Sequence, residues 1–286
     1  MIWDNAKTML IIFLLGLNIF LGAMYFMHED NYAVSREDVQ IITSILAQNN
    51  ITLDARVEIP RSFPPVDQLQ LRPAIYNTTR LINAFFIDTS NISQTIEFGN
   101  TIFSSPEGTL TVMRHIVLFE PAENSPHPLF SMTTHNLNPH APAFAQFLQA
   151  HPVLFPGFSF DHMMYTDGGN IVVEYRQIYM GYKVHANVLS FNISPEGVTT
   201  VRYIYYPPAD FLGVRQPIIS AVQALFMFKL GNAHIDEPIT ITDIDLVHNI
   251  VFADDGSGRI TTVPYYRIFN SHGEPMLINA ITGDIE

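Results

Sequence analysis

Residues 170–206 read NIVVEYRQIYMGYKVHANVLSFNISPEGVTTVRYIYY. β-Branched and aromatic residues fill the runs, and the runs are parted by Met180-Gly181 and by Ser194-Pro195-Glu196-Gly197, residue types that suit tight turns. The stretch predicts two or three long strands joined by hairpins. Downstream, a helix is expected from Pro217, which suits a first helical position, to Gly231, which suits an exit. Ile218, Val222, Leu225, Phe226 and Leu230 supply its packing face. Within it, Ala224-Leu225-Phe226-Met227-Phe228 is read as core, with a partly partner-facing role as the alternative. ITITDIDLVHNIVFA (239–253), a DDGSG turn (254–258), ITTVPYYRIFN (260–270) and PMLINAITGDIE (275–286) close a second meander.

Upstream, Ser35 offers an N-cap with Asp38 three residues on, and Val39, Ile42, Ile45 and Leu46 recur at helical spacing until Asn49-Asn50. Alternation over 51–59 predicts a strand with one buried face. Pro60, Pro64, Pro65 and Pro73 predict an irregular or edge segment. RLINAFF (80–86), TIEFGNTIF (95–103) and TLTVMRHIVLF (109–119) read as strands, turning at 88–91, Gly99-Asn100 and 106–108. Prolines 121, 126, 128, 139, 142, 152 and 156 mark a boundary that holds a short helix near 142–150. The order is strands, helix, strands without βαβ alternation, so the expected class is α+β with antiparallel sheets and packed helices.

Before these units, residues 8–27 (TMLIIFLLGLNIFLGAMYFM) carry no charge and are long enough to span a bilayer's apolar core. Lys7 precedes this run, and His28, Glu29 and Asp30 follow it, which predicts a cytoplasmic amino terminus. The absence of an A-x-A site argues for an uncleaved anchor rather than a signal peptide. The expected organisation is a tail at 1–7, a transmembrane helix at 8–27 and a tether at 28–34. A first extracellular unit follows at 35–150 and a second at 151–286. Leu14, Asn18, Leu21 and Tyr25 share one face of the expected helix, with Gly22 one turn after Asn18. Asparagine can hydrogen-bond across helices and glycine permits close approach, so these five form a candidate helix interface.

Lys+Arg number 14 against 27 Asp+Glu, a formal charge of −13 that argues against a polyanionic partner such as nucleic acid. There is no cysteine, which excludes disulfides, thiolate metal sites and cysteine nucleophiles and suits an exported bacterial domain. His127, His135 and His140 with Asp161-His162 could gather as metal ligands, but no HExxH or paired short spacing supports them. Asp243 and Asp245 read as a solvated strand face rather than a catalytic pair. Asp254-Asp255 lacks calcium-loop spacing and reads as a turn. With no G-x-S-x-G or Walker sequence, neither catalysis nor a cofactor is expected.

WDNAKTMLIIFLLGLNIFLG (3–22), YRQIYMGYKV (175–184), FNISPEGVTTVRYIYY (191–206), the helix around 221–230 and the closing INAITGDIE resemble YycI proteins. That family comprises membrane-anchored regulators that work with YycH beside the WalK sensor histidine kinase of Gram-positive bacteria, a two-component system controlling cell-wall metabolism. The resemblance implies a non-enzymatic regulator whose membrane helix meets partner helices and whose extracellular part joins YycH. The carboxy-terminal phrase and its hairpins also resemble PepSY-type modules, so the alternative is a PepSY-like binding or inhibitory module merely anchored at the membrane. The chain departs from the family in having only three lysines, at 7, 183 and 229.

Overall fold

The computed structural model describes residues 14–18, 33–123, 125–135, 137, 142–235, 237–252, 259–271 and 273–286. Its centre is the hairpin that residues 170–206 predict. β8 (Ile171–Tyr179) and β9 (Tyr182–Ile193) pair in antiparallel fashion from Tyr179↔Tyr182 outward. Between them, Met180 and Gly181 both take positive φ, 47° and 88°, as a two-residue type I′ turn requires. β10 (Val198–Ile204) follows after the Ser194–Gly197 turn, in which Ser194 N–H donates to Gly197 O at 2.8 Å.

From this centre the sheet spreads both ways. Toward one end lie β6 (Ile116–Pro121), β5 (Gly108–Val112), β4 (Asn100–Ser105) and β3 (Ser93–Glu97). Toward the other lie β12 (Ile239–Phe252), β13 (Ile260–Asn270), β2 (Val66–Leu71) and β11 (Pro208–Gln216). β1 (Ile51–Leu53) adds to β12, β7 (Phe158–Tyr165) to β8, and β14 (Gly273–Asn279) to β13. Register carries one row across eight strands, apolar on seven of them: Gln94, Phe103, Leu110, Phe119, Val201, Phe191, Val173 and Met163 are successive partners. The six inner members are buried, each contributing roughly 1.5–3 kcal/mol if fully removed from water.

Two covers close the faces. Helices α2 (Thr78–Phe85) and α3 (Pro142–Ala150) bring Leu81, Phe85, Phe144 and Phe147 onto a core rich in aromatic rings. α1 (Arg36–Ala47) and α4 (Ala221–Gly231) bring Ile42, Leu46, Ala224, Leu225 and Phe228 onto a second core that is mainly aliphatic. Ser35 and Ser220 cap these last two helices with complete capping boxes, closed by Asp38 and Gln223.

The expected fold class is corrected on two counts. The strands assigned to two antiparallel units belong to one 14-stranded mixed sheet. β12 runs parallel to β1 and to β9, so a strand from residues 51–53 stitches into the carboxy-terminal meander. In addition, no helix among the described residues is long and apolar enough to cross a membrane. Of the expected span 8–27 only 14–18 are described, as helix, and a single amino-terminal transmembrane helix is not shown.

Several elements also differ locally. RLINAFF lies largely in α2, because the Asn77 side chain accepts from Arg80 N–H and the i, i+3, i+4 spacing of Leu81, Ala84 and Phe85 faces the core. The strand expected over 51–59 stops at Leu53, where the Asp54 carboxylate turns back onto the Arg56 N–H and guanidinium. The proline-bracketed 66–71 is a strand with neighbours on both sides, since Pro65 and Pro73 fall just outside it. α4 begins at Ala221 rather than Pro217, and the β3–β4 turn is Phe98-Gly99 rather than Gly99-Asn100.

Candidate functional site

α1 and α4 lie side by side on the second core, and each buries only one flank. α1 turns Ile42 and Leu46 inward and leaves Ile41 and Ile45 facing its neighbour. α4 buries Ala221, Ala224, Leu225 and Phe228 and leaves Val222, Phe226 and Met227 on the opposite side. The groove between them has a volume of about 390 Å³, with Ile219 and Gly283 completing the apolar wall. Ile41 is 52% exposed and Phe226 41% exposed, large apolar surfaces left in water beside a concavity that fits side chains.

Polar groups at this groove are already engaged. The Asp38 carboxylate accepts from Ser35 N–H at 3.3 Å and from Ser35 Oγ–H at 2.7 Å, and Gln223 Oε1 accepts from Ser220 N–H at 2.8 Å. The lining thus offers apolar contact edged by one carboxylate. That chemistry suits the apolar face of a helix, packed as a third helix against two.

A second assembly lies in the sheet, where β7, β8 and β9 meet β12 and β13. Arg267 on β13 is wholly buried and grips two carboxylates: Asp161 through Nη1 and Nη2 at 2.6 and 2.8 Å, and Asp245 through Nε and Nη2 at 3.0 and 2.6 Å. Lys183 bridges the same two acids at 2.8 and 2.7 Å. Arg176 donates to Asp161 at 3.0 Å, to Glu174 at 2.5 Å and to the His185 carbonyl. Bulges aim these groups: the β7–β8 register slips between Phe160 and His162, at Asp161, and the β8–β9 register slips between Arg176 and Gln177.

Burial alone would raise the Asp161 pKa. Hydrogen bonds from His162 and Arg267, with the charges of Arg267 and Lys183, instead hold it well below the usual carboxylate range. Burial lowers Lys183 and Arg267, but their acid partners more than reverse this and raise both. His185, buried and beside the Arg176 and Arg267 charges, is pushed down to about 2 and stays neutral.

Donor atoms of Asp161, His162 and Glu174 lie within 4.8 Å of one another, close enough to suggest a metal centre. Their existing partners argue otherwise. Asp161 and Glu174 already face Arg176, Asp161 also faces Arg267 and Lys183, and a divalent ion would add two charges to a buried cluster whose three acids match three bases. Removing one member of such a cluster costs about 3–5 kcal/mol, so its evident work is to fasten five strands.

The residues singled out by sequence scatter. Leu14 and Asn18 lie in the helical stretch 14–18, both exposed, whereas Leu21, Gly22 and Tyr25 fall outside the described residues. His127 stacks on Phe130 at 4.5 Å and shares a cavity with His151, His135 is exposed, and His140 is outside the described residues. Neither His127 nor His135 lines the cavities around His162. Asp243 is exposed, as expected of a solvated face, but Asp245 is drawn into the ion network. Asp254 and Asp255 lie outside the described residues. Sequence reasoning counted Val222 and Phe226 in the packing face and kept a partner-facing role for part of 224–228 only as the alternative, so it did not place the groove; the two serine caps were the available signal for where the helices start.

No protein-family model matches the chain, and no curated protein matches it in sequence. Among solved structures, an uncharacterized protein from Eubacterium rectale ATCC 33656 overlays with a TM-score of 0.52 at 13% identity, covering 83% of this chain and 90% of that one. YycH from Bacillus subtilis overlays with a TM-score of 0.42 at 11% identity, covering 80% of this chain and 54% of that one. At such identities the likeness to the Eubacterium rectale protein is one of fold.

Proposed function

We propose that this chain is a non-enzymatic accessory regulator that works by binding other proteins, a sensor histidine kinase and a YycH-like companion among them, on the outer side of the cell membrane. The observation that carries this reading is the apolar groove between α1 and α4, with Ile41 and Phe226 left in water at its walls. Its occupant is an apolar helix of a partner, because the lining is mainly apolar, its polar groups Asp38, Gln223 and Thr282 are already hydrogen-bonded, and two helices shape it. The sequence resemblance to YycI proteins, which spans residues 3–22 and much of 175–286, supplies the class of partner. A cysteine-free chain fits the oxidising outer compartment.

The experiment compares the full chain with its Ile41→Asp, Phe226→Asp double variant. Co-purification with the kinase and YycH-like protein, and output of the kinase's target genes, are measured beside thermal unfolding. The expected result is loss of at least tenfold of the co-purifying kinase with a melting temperature close to that of the parent. Unchanged co-purification and unchanged gene output would overturn the reading.

A further inference from the structure

The two ends of the long sheet path differ in how they meet water. β11 ends one side with a proline at its start, two register breaks against β2, Gly213 at positive φ, and Asp210 and Arg215 along it. These are the devices that keep an edge strand from accepting another. β3 ends the other side with Glu97 as its one charged residue and with none of the other devices. Its five residues pair with β4 in unbroken register, and it contains neither proline nor lysine.

The β3–β4 hairpin closes at Glu97↔Asn100 through the two-residue Phe98-Gly99 turn, with φ of 50° and 82°. In such a hairpin the closing pair is hydrogen-bonded, so Glu97, Thr95 and Ser93 point their backbone groups at β4. Gln94 and Ile96 then point theirs outward along the open edge. The side chain of Ile96 is 72% exposed and ends the register row that runs through Thr101 to Val112, Val117, Tyr203 and Leu189. Phe98 is fully exposed at the tip, and it holds a left-handed backbone that asparagine or glycine would adopt with less strain. Just behind, the buried Glu107 carboxylate accepts from Ile87 and Asp88 N–H at 2.8 and 2.7 Å, so the segment leading into β3 is fixed.

We propose that the open edge of β3 docks an extended strand of a partner protein in which apolar and basic residues alternate. The backbone ladder at Gln94 and Ile96 selects a strand, and Ile96 with Phe98 selects apolar residues on one face. Charge selects the other. No Lys, Arg or His occurs from 81 to 113, while Asp88 and Glu97 flank the edge and the whole chain stands at −13. This surface is separate from the groove between α1 and α4, and it stands or falls independently of the partner named above.

The test uses the full chain and a synthetic nine-residue peptide of alternating lysine and valine, with a glutamate–valine peptide as control, read by residue-resolved amide hydrogen exchange. The lysine peptide is expected to slow exchange at Gln94 and Ile96 at least tenfold and to leave Thr95, already bonded to β4, unchanged. The glutamate peptide is expected to give no protection. Ile96→Lys should abolish the effect while keeping the parent's melting temperature, since that side chain lies outside the core. Protection that is absent, equal with both peptides, or equal along β11 would overturn the proposal. So would concentration-dependent protection without peptide, which would make the occupant a second copy of this chain.

Discussion

The two larger cores among the described residues are built on one sheet but finished differently. The first is sealed. Phe85 stacks on Phe119 at 5.1 Å, Phe144 meets Phe191 edge-on at 5.1 Å, Phe155 meets Tyr203 at 5.0 Å, and two helices press these rings onto the register row. The second is aliphatic and half covered: its two helices bury one flank each and leave a groove between them. Rings that interlock from both sides leave little surface to share, whereas two helices set side by side on a sheet leave a furrow that a third can fill. The first core is closed by its rings, and the second keeps an open furrow.

Paired phenylalanine substitutions break this comparison most sharply. Phe119→Ala, in the sealed core, should lower unfolding free energy by about 3–5 kcal/mol in chemical denaturation, because the packed rings around it cannot collapse into the space. A loss below about 1 kcal/mol would mean that this core is not sealed.

A titration sharpens it next. His248 borders the second core, where its Nδ1 lies 2.8 Å from Thr262 Oγ1 and Tyr182 meets its ring edge-on. Burial pushes it from 6.5 down to about 4, only partly offset by the Asp67 charge. The unfolded chain therefore takes up this proton first as pH falls. The stability from keeping the ring neutral is fully present above pH 6.5 and is lost on the way down to about 4, a change of about 3 kcal/mol. Denaturant melts between pH 7 and 4 should show a shallower acid slope in His248→Gln than in the parent. Parallel slopes would contradict the assignment.

Smaller still, Ser220→Ala should cost about 1 kcal/mol by opening the capping box of α4. It should also loosen the groove wall, raising amide exchange across residues 221–224. At the low end, Phe226→Ser should shift stability by less than about 0.5 kcal/mol, since this ring faces water, while weakening kinase co-purification. A large melting change in Phe226→Ser would return that ring to the core.

Much of this was legible in the chain and some was not, for identifiable reasons. The Ser35 cap, the 142–150 helix and the central hairpins follow from side-chain chemistry within a few residues, and they stand where expected. RLINAFF misled because aromatic and β-branched residues favour strands; Asn77, four residues before Leu81, carried the contrary signal. The mixed sheet was hidden because the alternation over 51–59 announces a strand but not its partner, and Ile51–Leu53 pairs in parallel with a strand 188 residues away. The ion network was hidden because it joins Asp161 to Arg267 across 106 positions and because bulges, which sequence does not announce, turn Asp161 and Arg176 toward it. The groove was hidden in plain composition: α4 carries only Gln223 and Lys229 among apolar residues, so no polar stripe tells which side faces water.

The claim that the second core's open furrow is where a partner binds has a direct measurement. A photoactivatable residue is placed in living cells at position 226, inside the furrow, and separately at position 75, where Ile75 is almost fully exposed and lies outside its lining. Illumination should join the chain to the sensor kinase or its YycH-like companion from 226 and not from 75. Equal adducts from both positions, or none from 226, would contradict it.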